Sequence, residues 1–298
     1  MATPGGLDSV LTGGTLGTPT LDAVTRLVPC VLSIAGSDSG GGAGIQADLK
    51  ACARCGVHGA TALTALTAQS TVGVSAVTAV DPDMILAQVR AVAQDIGVDA
   101  VKVGMLGNAQ AVQAVVAALD ELPAGTPVVV DPVMVAESGA RLLESDAQDA
   151  LVSDLLPRAS VVTPNLSEAR VLVNDERLDG EQLARAVGSL GPRVVVITGG
   201  HRALASDVYF DGTTAHEITG ERFADGAAHG SGCTHSTALA AHLALGLGTL
   251  ESARAAKRIA AEAVRDGLRG LGGGAGPVDV FGLTAAAKQR RPSGAHLP

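Results

Sequence analysis

Aromatic side chains are almost missing from this sequence: its 298 residues include no Trp, one Tyr and three Phe. Any core must therefore be filled by Val, Leu, Ile and Ala, a composition that suits helices stacked on buried strands. Cysteine is scarce too. Cys30, Cys52, Cys55 and Cys233 are too few and too irregularly spaced for a disulfide framework. Cys52 and Cys55 form a CxxC, but it lacks a second pair or nearby His ligands, and in the helix-like run ADLKACARC the two share a face and read as packing. No segment reaches 18 uninterrupted apolar residues, and the N-terminus has no basic stretch followed by an apolar one. The sequence therefore predicts neither a membrane span nor secretion, and points to the cytoplasm. Positive charge is also in deficit, with 21 Lys and Arg against 30 Asp and Glu and a formal net charge of −9. That balance opposes binding to nucleic acid or to an anionic membrane, so a phosphorylated ligand would need a local positive site.

What the chain does have is β-branched runs alternating with longer helical patterns, with hydrophobic residues at 47%. Runs at 31–35, 60–66, 100–103, 128–130, 160–163 and 193–197 read as strands. Between two of them Val112, Val115, Val116 and Leu119 recur at helical spacing opposite Gln113, Asp120 and Glu121, as in a crossover helix. Repeated βα units of this kind predict one α/β domain around a mostly parallel sheet, over 29–285. Residues 1–28, rich in Gly, Thr and Pro, and 286–298 read as mobile tails. There is no internal repeat and no central linker. In open parallel sheets ligands gather at the carboxyl ends of strands, which directs attention to the polar residues just after each run.

Six such places stand out. In AGSDSGGGAGIQADLK (35–50) a Gly-rich loop leads from a strand into a helix, matching neither a P-loop nor a dinucleotide fingerprint. Asp48, one turn into that helix, either accepts hydrogen bonds from a ligand above the loop or is simply solvated. Gln69 ends the second run with an amide able to read a heterocycle edge. Met105, in VKVGML, is either an apolar platform for a ring or core filling. Asp131 emerges after three valines, where a carboxylate can hold Mg²⁺. Asn165 and Glu168 lie three apart at a helix start, facing the same way or forming a cap. Finally HGSGC opens a strongly apolar helix, so that the N–H groups of Gly230 to Cys233 converge where an anion, above all a phosphoryl group, is favoured.

Read in order, AGSDSGGGAGIQADLK, TALTALTAQST, VKVGML, DPVM, TPNLSEA, ITGGH and HGSGCT resemble the hydroxymethylpyrimidine and phosphomethylpyrimidine kinase family, from about Pro29 to Leu283. The resemblance implies a ribokinase-like three-layer α/β/α sandwich, often homodimeric, that uses ATP and Mg²⁺. It implies a pyrimidine held near Ala43, Asp48, Gln69, Met105 and Val133. Asn165, Thr198, Gly200, Ser231 and Lys257 would face the nucleotide, and Asp131 and Glu168 the metal. Gly230 and Gly232 would form an anion hole, with Cys233 at the catalytic position. There the helix terminus would stabilise a thiolate that polarises the attacking oxygen; alternatively Cys233 supplies its N–H and positioning alone. Thr198 departs from the family by standing where many relatives carry Lys, which leaves Arg193, Lys257 or Mg²⁺ to meet the phosphates. Ser231 stands where Thr is commoner, and His229 either contacts a phosphate or is solvated. Two rival readings are a pyridoxal or pyridoxine kinase of the same superfamily and a catalytically silent pyrimidine-binding protein.

Overall fold

The computed structural model describes residues 26–135, 139, 142–199, 205–223 and 227–290. The chain enters through β1 (Cys30–Asp38), crosses by α1 (Gly44–Cys55) to β2 (His58–Ser70), turns back along β3 (Gly73–Ala79) and returns by α2 (Pro82–Asp95) to β4 (Ala100–Val103). Next, α3 (Ala109–Asp120) leads to β5 (Val128–Val130), and α4 (Ser145–Ala150), extended by further helical turns to Arg158, leads to β6 (Val161–Val162). Then α5 (Leu166–Val173) and α6 (Gly180–Gly188) precede β7 (Val194–Ile197), and a hairpin of β8 (Asp207–Phe210) and β9 (Ala215–Ile218) completes the sheet. The chain closes with α7 (Ser231–Ala244), α8 (Thr249–Arg265) and α9 (Leu283–Arg290).

The described strands form one sheet in the order β3-β2-β1-β4-β5-β6-β7-β8-β9. The six from β2 to β7 run parallel, while β3, β8 and β9 are antiparallel. Each expected strand lies within or overlaps an observed one. The three that sequence reasoning overlooked are the antiparallel ones: β3 is largely exposed and lacks the apolar density used to find the others, and β8 and β9 are only four residues each.

Successive side chains on a strand point to opposite faces, and both faces here are apolar. Leu32, Val101, Val128, Val130, Val195 and Ile197 join one core with α2, α3, α5 and α6. Val31, Ala100, Val129, Val161, Val194 and Val196 join a second with α1, α7 and α8. The three-layer α/β/α sandwich follows. The stripe expected on α3 is the one it buries: Val112, Val115 and Val116 face the core, and Asn108 caps the helix by accepting the Ala111 N–H. Cys52 and Cys55 are unpaired and pack on α1, with burial holding both thiols above their ordinary range.

At the chain ends, residues 1–25 and 291–298 lie outside the described residues. Arg26 is tied to Asp99 at 2.8 Å, and α9 keeps the chain helical to Arg290, past the boundary expected at 285.

Strand order reverses at β1, whose neighbours β2 and β4 lie on opposite sides, and the crevice between the carboxyl ends of β1 and β4 is the place a ligand is expected. A buried polar knot lies directly beneath it. The ammonium of Lys102 on β4 is fully buried, 3.0 Å from each oxygen of Asp48 on α1. Asp48 also accepts from Ser33 of β1 at 2.6 Å and Thr237 of α7 at 2.7 Å. This corrects the expectation that Asp48 reaches the ligand: its side chain is wholly buried, both oxygens are occupied, and it does not line the cavity described below.

Removing one partner of a buried ion pair strands the other charge. Asp48→Ala is accordingly expected to lose about 3 to 5 kcal/mol of stability in urea denaturation, and a loss below 1 kcal/mol would show that Lys102 does not depend on it.

Candidate active site

A cavity of about 390 Å³ follows the carboxyl edge of the sheet. Adjacent strands lie roughly 4.8 Å apart, so each strand tip contributes in turn. Near β2, β1 and β4 the walls are Gln69, Ala43 and Met105, with Val133 after β5. Asp131 follows β5, Asn165 and Glu168 open the helix after β6, Thr198 ends at β7, and Lys257 reaches in from α8. Gly230, Ser231, Gly232 and Cys233 enter at the start of α7. Every expected site residue thus lies on this one wall except Asp48, which is beneath it, and Gly200, which lies outside the described residues. Arg193 is exposed and absent from the wall.

At the centre are two carboxylates. Asp131 is 5% exposed, accepts a hydrogen bond from Ser236 at 3.0 Å and lies 3.9 Å from the Lys102 ammonium. Burial raises its pKa, with Lys102 and Ser236 pulling the other way. For Asn165 and Glu168 the capping reading is realised: the Asn165 side chain accepts the Glu168 N–H and the Glu168 carboxylate accepts the Asn165 N–H, both at 2.9 Å. The cap and the cavity wall are the same residues. Burial first, and then repulsion from Asp131, pushes the Glu168 carboxyl up to about 8. Two carboxyls that resist ionising together, Asp131 buried and Glu168 half-buried, make a donor set suited to a divalent cation, and Mg²⁺ commonly binds through one or two carboxylates with phosphate and water completing its shell.

Opposite them the first Gly-rich loop and the HGSGC turn are locked together. Asp38, at the end of β1, accepts N–H groups from Gly40, Gly42 and Ala43 at 2.7, 3.0 and 2.8 Å. Its Oδ2 also lies 3.2 Å from His229 Nε2. Burial works against the Asp38 charge, but the imidazole and the amides outweigh it and hold its pKa below the ordinary value. Gly230 sits at φ 83°, and a Cβ there would collide with the Gly42 carbonyl oxygen. Only glycine lets the two loops close this tightly. His229 is therefore held by Asp38 and buried, where the sequence alone left it solvated or on a phosphate.

In the first turn of α7 the Ser231 N–H is taken by the Ala228 carbonyl at 2.9 Å, while those of Gly232 and Cys233 have no partner within the helix by construction and favour an anion. Cys233 stands among them, and its surroundings oppose the expected thiolate. Burial, together with Asp48 and Asp131, outweighs the pull of Lys102 and pushes the thiol up to about 12. At the far end, Lys257 is bound to Asp207 of β8 at 2.6 Å, and Asp207 also accepts the Gly199 N–H at 2.8 Å. Lys257 and His235 together keep the Asp207 carboxyl ionised below the usual range despite its burial.

Sequence reasoning missed Lys102, Asp38, Asp207 and His235. Lys102 had a visible signal, since a lysine inside a four-residue apolar strand is an anomaly that demands a buried partner. The others are ordinary polar residues whose partners lie far away in the chain. For Cys233, iodoacetamide near neutral pH is expected to alkylate the thiol much more slowly than free cysteine, by mass spectrometry of the intact protein; faster labelling would contradict a neutral thiol.

Comparison with known proteins agrees with this geometry. Residues 38–279 match the phosphomethylpyrimidine kinase family. A hydroxymethylpyrimidine/phosphomethylpyrimidine kinase of Streptomyces coelicolor is 46% identical over 257 residues, covering 84% of this chain and 94% of the relative. Among solved structures, the ADP complex of Bacillus subtilis pyridoxal kinase superposes with a TM-score of 0.78 at 37% identity, covering 86% of this chain and 99% of that one. The phosphomethylpyrimidine kinase of Clostridium difficile 630 superposes with a TM-score of 0.70 at 35% identity, covering 79% and 99%. With the family match running from the end of β1 to the approach to α9, and the sandwich and cavity in place, the chain belongs to the phosphomethylpyrimidine kinase family.

Proposed function

We propose that the protein transfers the γ-phosphoryl group of ATP to 4-amino-5-hydroxymethyl-2-methylpyrimidine and to its monophosphate, a step in thiamine biosynthesis. The observation that carries this reading is the continuity of one cavity that joins Gln69, Met105 and Val133 to the turn at Gly230 to Cys233. The flat ring lies against Met105, and Gln69 reads its polar edge. Its hydroxymethyl oxygen then points toward the first turn of α7. In-line attack forms the new O–P bond as the bond to the β-phosphate oxygen breaks, and the hydroxyl proton passes to a phosphoryl oxygen or water. Phosphoryl transfer demands little covalent help from the protein and much positioning and charge stabilisation. The turn amides supply the latter, each worth about 3 to 4 kcal/mol when aimed at developing charge.

Cys233 contributes its N–H and the shape of the turn, in keeping with its neutral thiol. Asp131 and Glu168 would hold Mg²⁺, which when bound neutralises charge on the transferring phosphates. Lys257 and Thr198 face the nucleotide. The same proposal includes a homodimer in the cytoplasm. Self-association is supported by the β2–β3 ribbon, which leaves Leu66, Val72 and Val77 at least half exposed. No described helix is long and apolar enough to cross a membrane.

Pyridoxal is the competing acceptor, because a 37% identical structural neighbour is a pyridoxal kinase. Incubation with Mg-ATP and, separately, the pyrimidine alcohol, its monophosphate and pyridoxal, with products followed by mass, is expected to give phosphorylated pyrimidine. Turnover of pyridoxal alone would reassign the substrate, and turnover of none would favour a silent binder. Two substitutions probe the turn. Gly230→Ala is expected to lower kcat by about a hundredfold or more by displacing the amides. Because alanine keeps the backbone N–H, Cys233→Ala is expected to lower kcat only modestly and to leave pyrimidine affinity unchanged, and a large fall in kcat would restore the thiol itself as a catalytic group.

A further inference from the structure

At the nucleotide end of the cavity one side chain has no role in the reaction described above. His235, on the second turn of α7, is 4% exposed and lines the wall beside Thr198, Asp207 and Lys257. Its Nε2 lies 3.3 Å from Asp207 Oδ2, but the two are not aligned for a hydrogen bond. Among the described residues neither ring nitrogen has a hydrogen-bond partner, and neither does Asp207 Oδ2. Buried polar groups are nearly always satisfied, and each orphan costs roughly 1 to 3 kcal/mol. His235 Nε2 and Asp207 Oδ2 face each other at 3.3 Å without closing that bond, and Nδ1 has no partner at all; an unmet buried ring nitrogen in the wall of a ligand-sized cavity marks a place where a ligand completes the bonding.

The surrounding charges say which part of the ligand. Lys257 is paired at 2.6 Å with Asp207 Oδ1 and Thr198 offers only a neutral hydroxyl, whereas the His235 ring brings a donor whose bonding is unmet to the same wall. His235 also belongs to the helix whose first-turn amides receive the transferring group. It lies three to four residues beyond Ser231 and Gly232, which places it roughly 5 Å along the axis, within the length of a polyphosphate chain. A polyphosphate anchored on the turn and leading toward β7 and β8 passes over the imidazole. We propose that His235 is a nucleotide-binding residue, its ring N–H donating to a non-transferring phosphate of a nucleoside di- or triphosphate, with Asp207 beside it setting the ring's orientation. The proposal rests on the ATP-dependent reading of the site, but not on which acceptor is phosphorylated.

Calorimetric titration of ADP and of adenosine into the wild type, His235→Leu and His235→Gln tests it. The Leu variant is expected to bind ADP about tenfold to a hundredfold more weakly, the loss of a hydrogen bond to a charged group, with adenosine binding unchanged and Gln intermediate. Unchanged ADP affinity, or an equal loss for adenosine, would overturn the assignment. Because a variant can fail to fold, the wild type is also followed by nitrogen NMR of its labelled histidines. ADP, and not adenosine, should move the His235 ring signals, and a static ring with ADP bound would refute the contact. If ADP binding depends on His235 while no pyrimidine is turned over, this inference stands and the substrate assignment alone falls.

Discussion

The ammonium of Lys102 has no contact with bulk water, and much of the site is arranged around that fact. Taking such an ion out of water costs several kcal/mol, and a well-packed apolar substitute for an ion pair is often at least as stable. The Asp48 carboxylate, at 3.0 Å, repays much of the cost, and Ser33 and Thr237 fill the remaining positions on Asp48. Burial alone would lower the Lys102 pKa, yet the Asp48 and Asp131 carboxylates hold it above its ordinary value. The result is a permanent cation fixed by four elements, β1, β4, α1 and α7, directly under the place where β1 and β4 diverge. Its value lies there: it is a positive charge that needs no solvent and cannot move away from Asp131.

That charge helps resolve the conflict between a chain of net charge −9 and a polyanionic ligand. The global field repels phosphate, but a Debye length of about 8 Å at physiological salt leaves the interior of a cavity governed by its own walls. On those walls the α7 terminus presents amides, while Lys102 below and Lys257 from α8, each paired with an aspartate, offset the carboxylates gathered there. The acidic pair Asp131 and Glu168 faces them. The Asp38 clamp fixes the amides relative to the ring-binding end, because it ties the loop carrying Ala43 to the turn carrying Gly230. One rigid link thus sets the distance between acceptor and phosphoryl donor.

Much of this was legible in the sequence, for identifiable reasons. Valine-rich runs such as VVV at 128–130 are buried on both faces and announce parallel strands. Motif order and the glycines of HGSGC announced the turn. Local pattern failed where partners are distant in the chain: Asp38 with His229, Asp48 with Lys102, and Asp207 with Lys257 are separated by 191, 54 and 50 residues. Asp48 shows the limit well. Its position one turn into α1 was read correctly, but whether a helix carboxylate faces ligand or core depends on what arrives opposite it.

The same limit explains the thiol. A helix N-terminus is worth about 0.3 to 1 kcal/mol to a nearby anion, which is less than a pH unit at about 1.36 kcal/mol each. Burial beside two carboxylates exceeds that, and the Cys233 thiol goes up to about 12. Burial therefore argues against a base at this position. In a loose phosphoryl-transfer transition state the attacking hydroxyl loses its proton late, so early deprotonation gains little. What does matter is that the amides stay aimed at the phosphoryl oxygens. A compact neutral side chain at Cys233 adds no anion at the first turn of α7, where the proposed phosphate would sit.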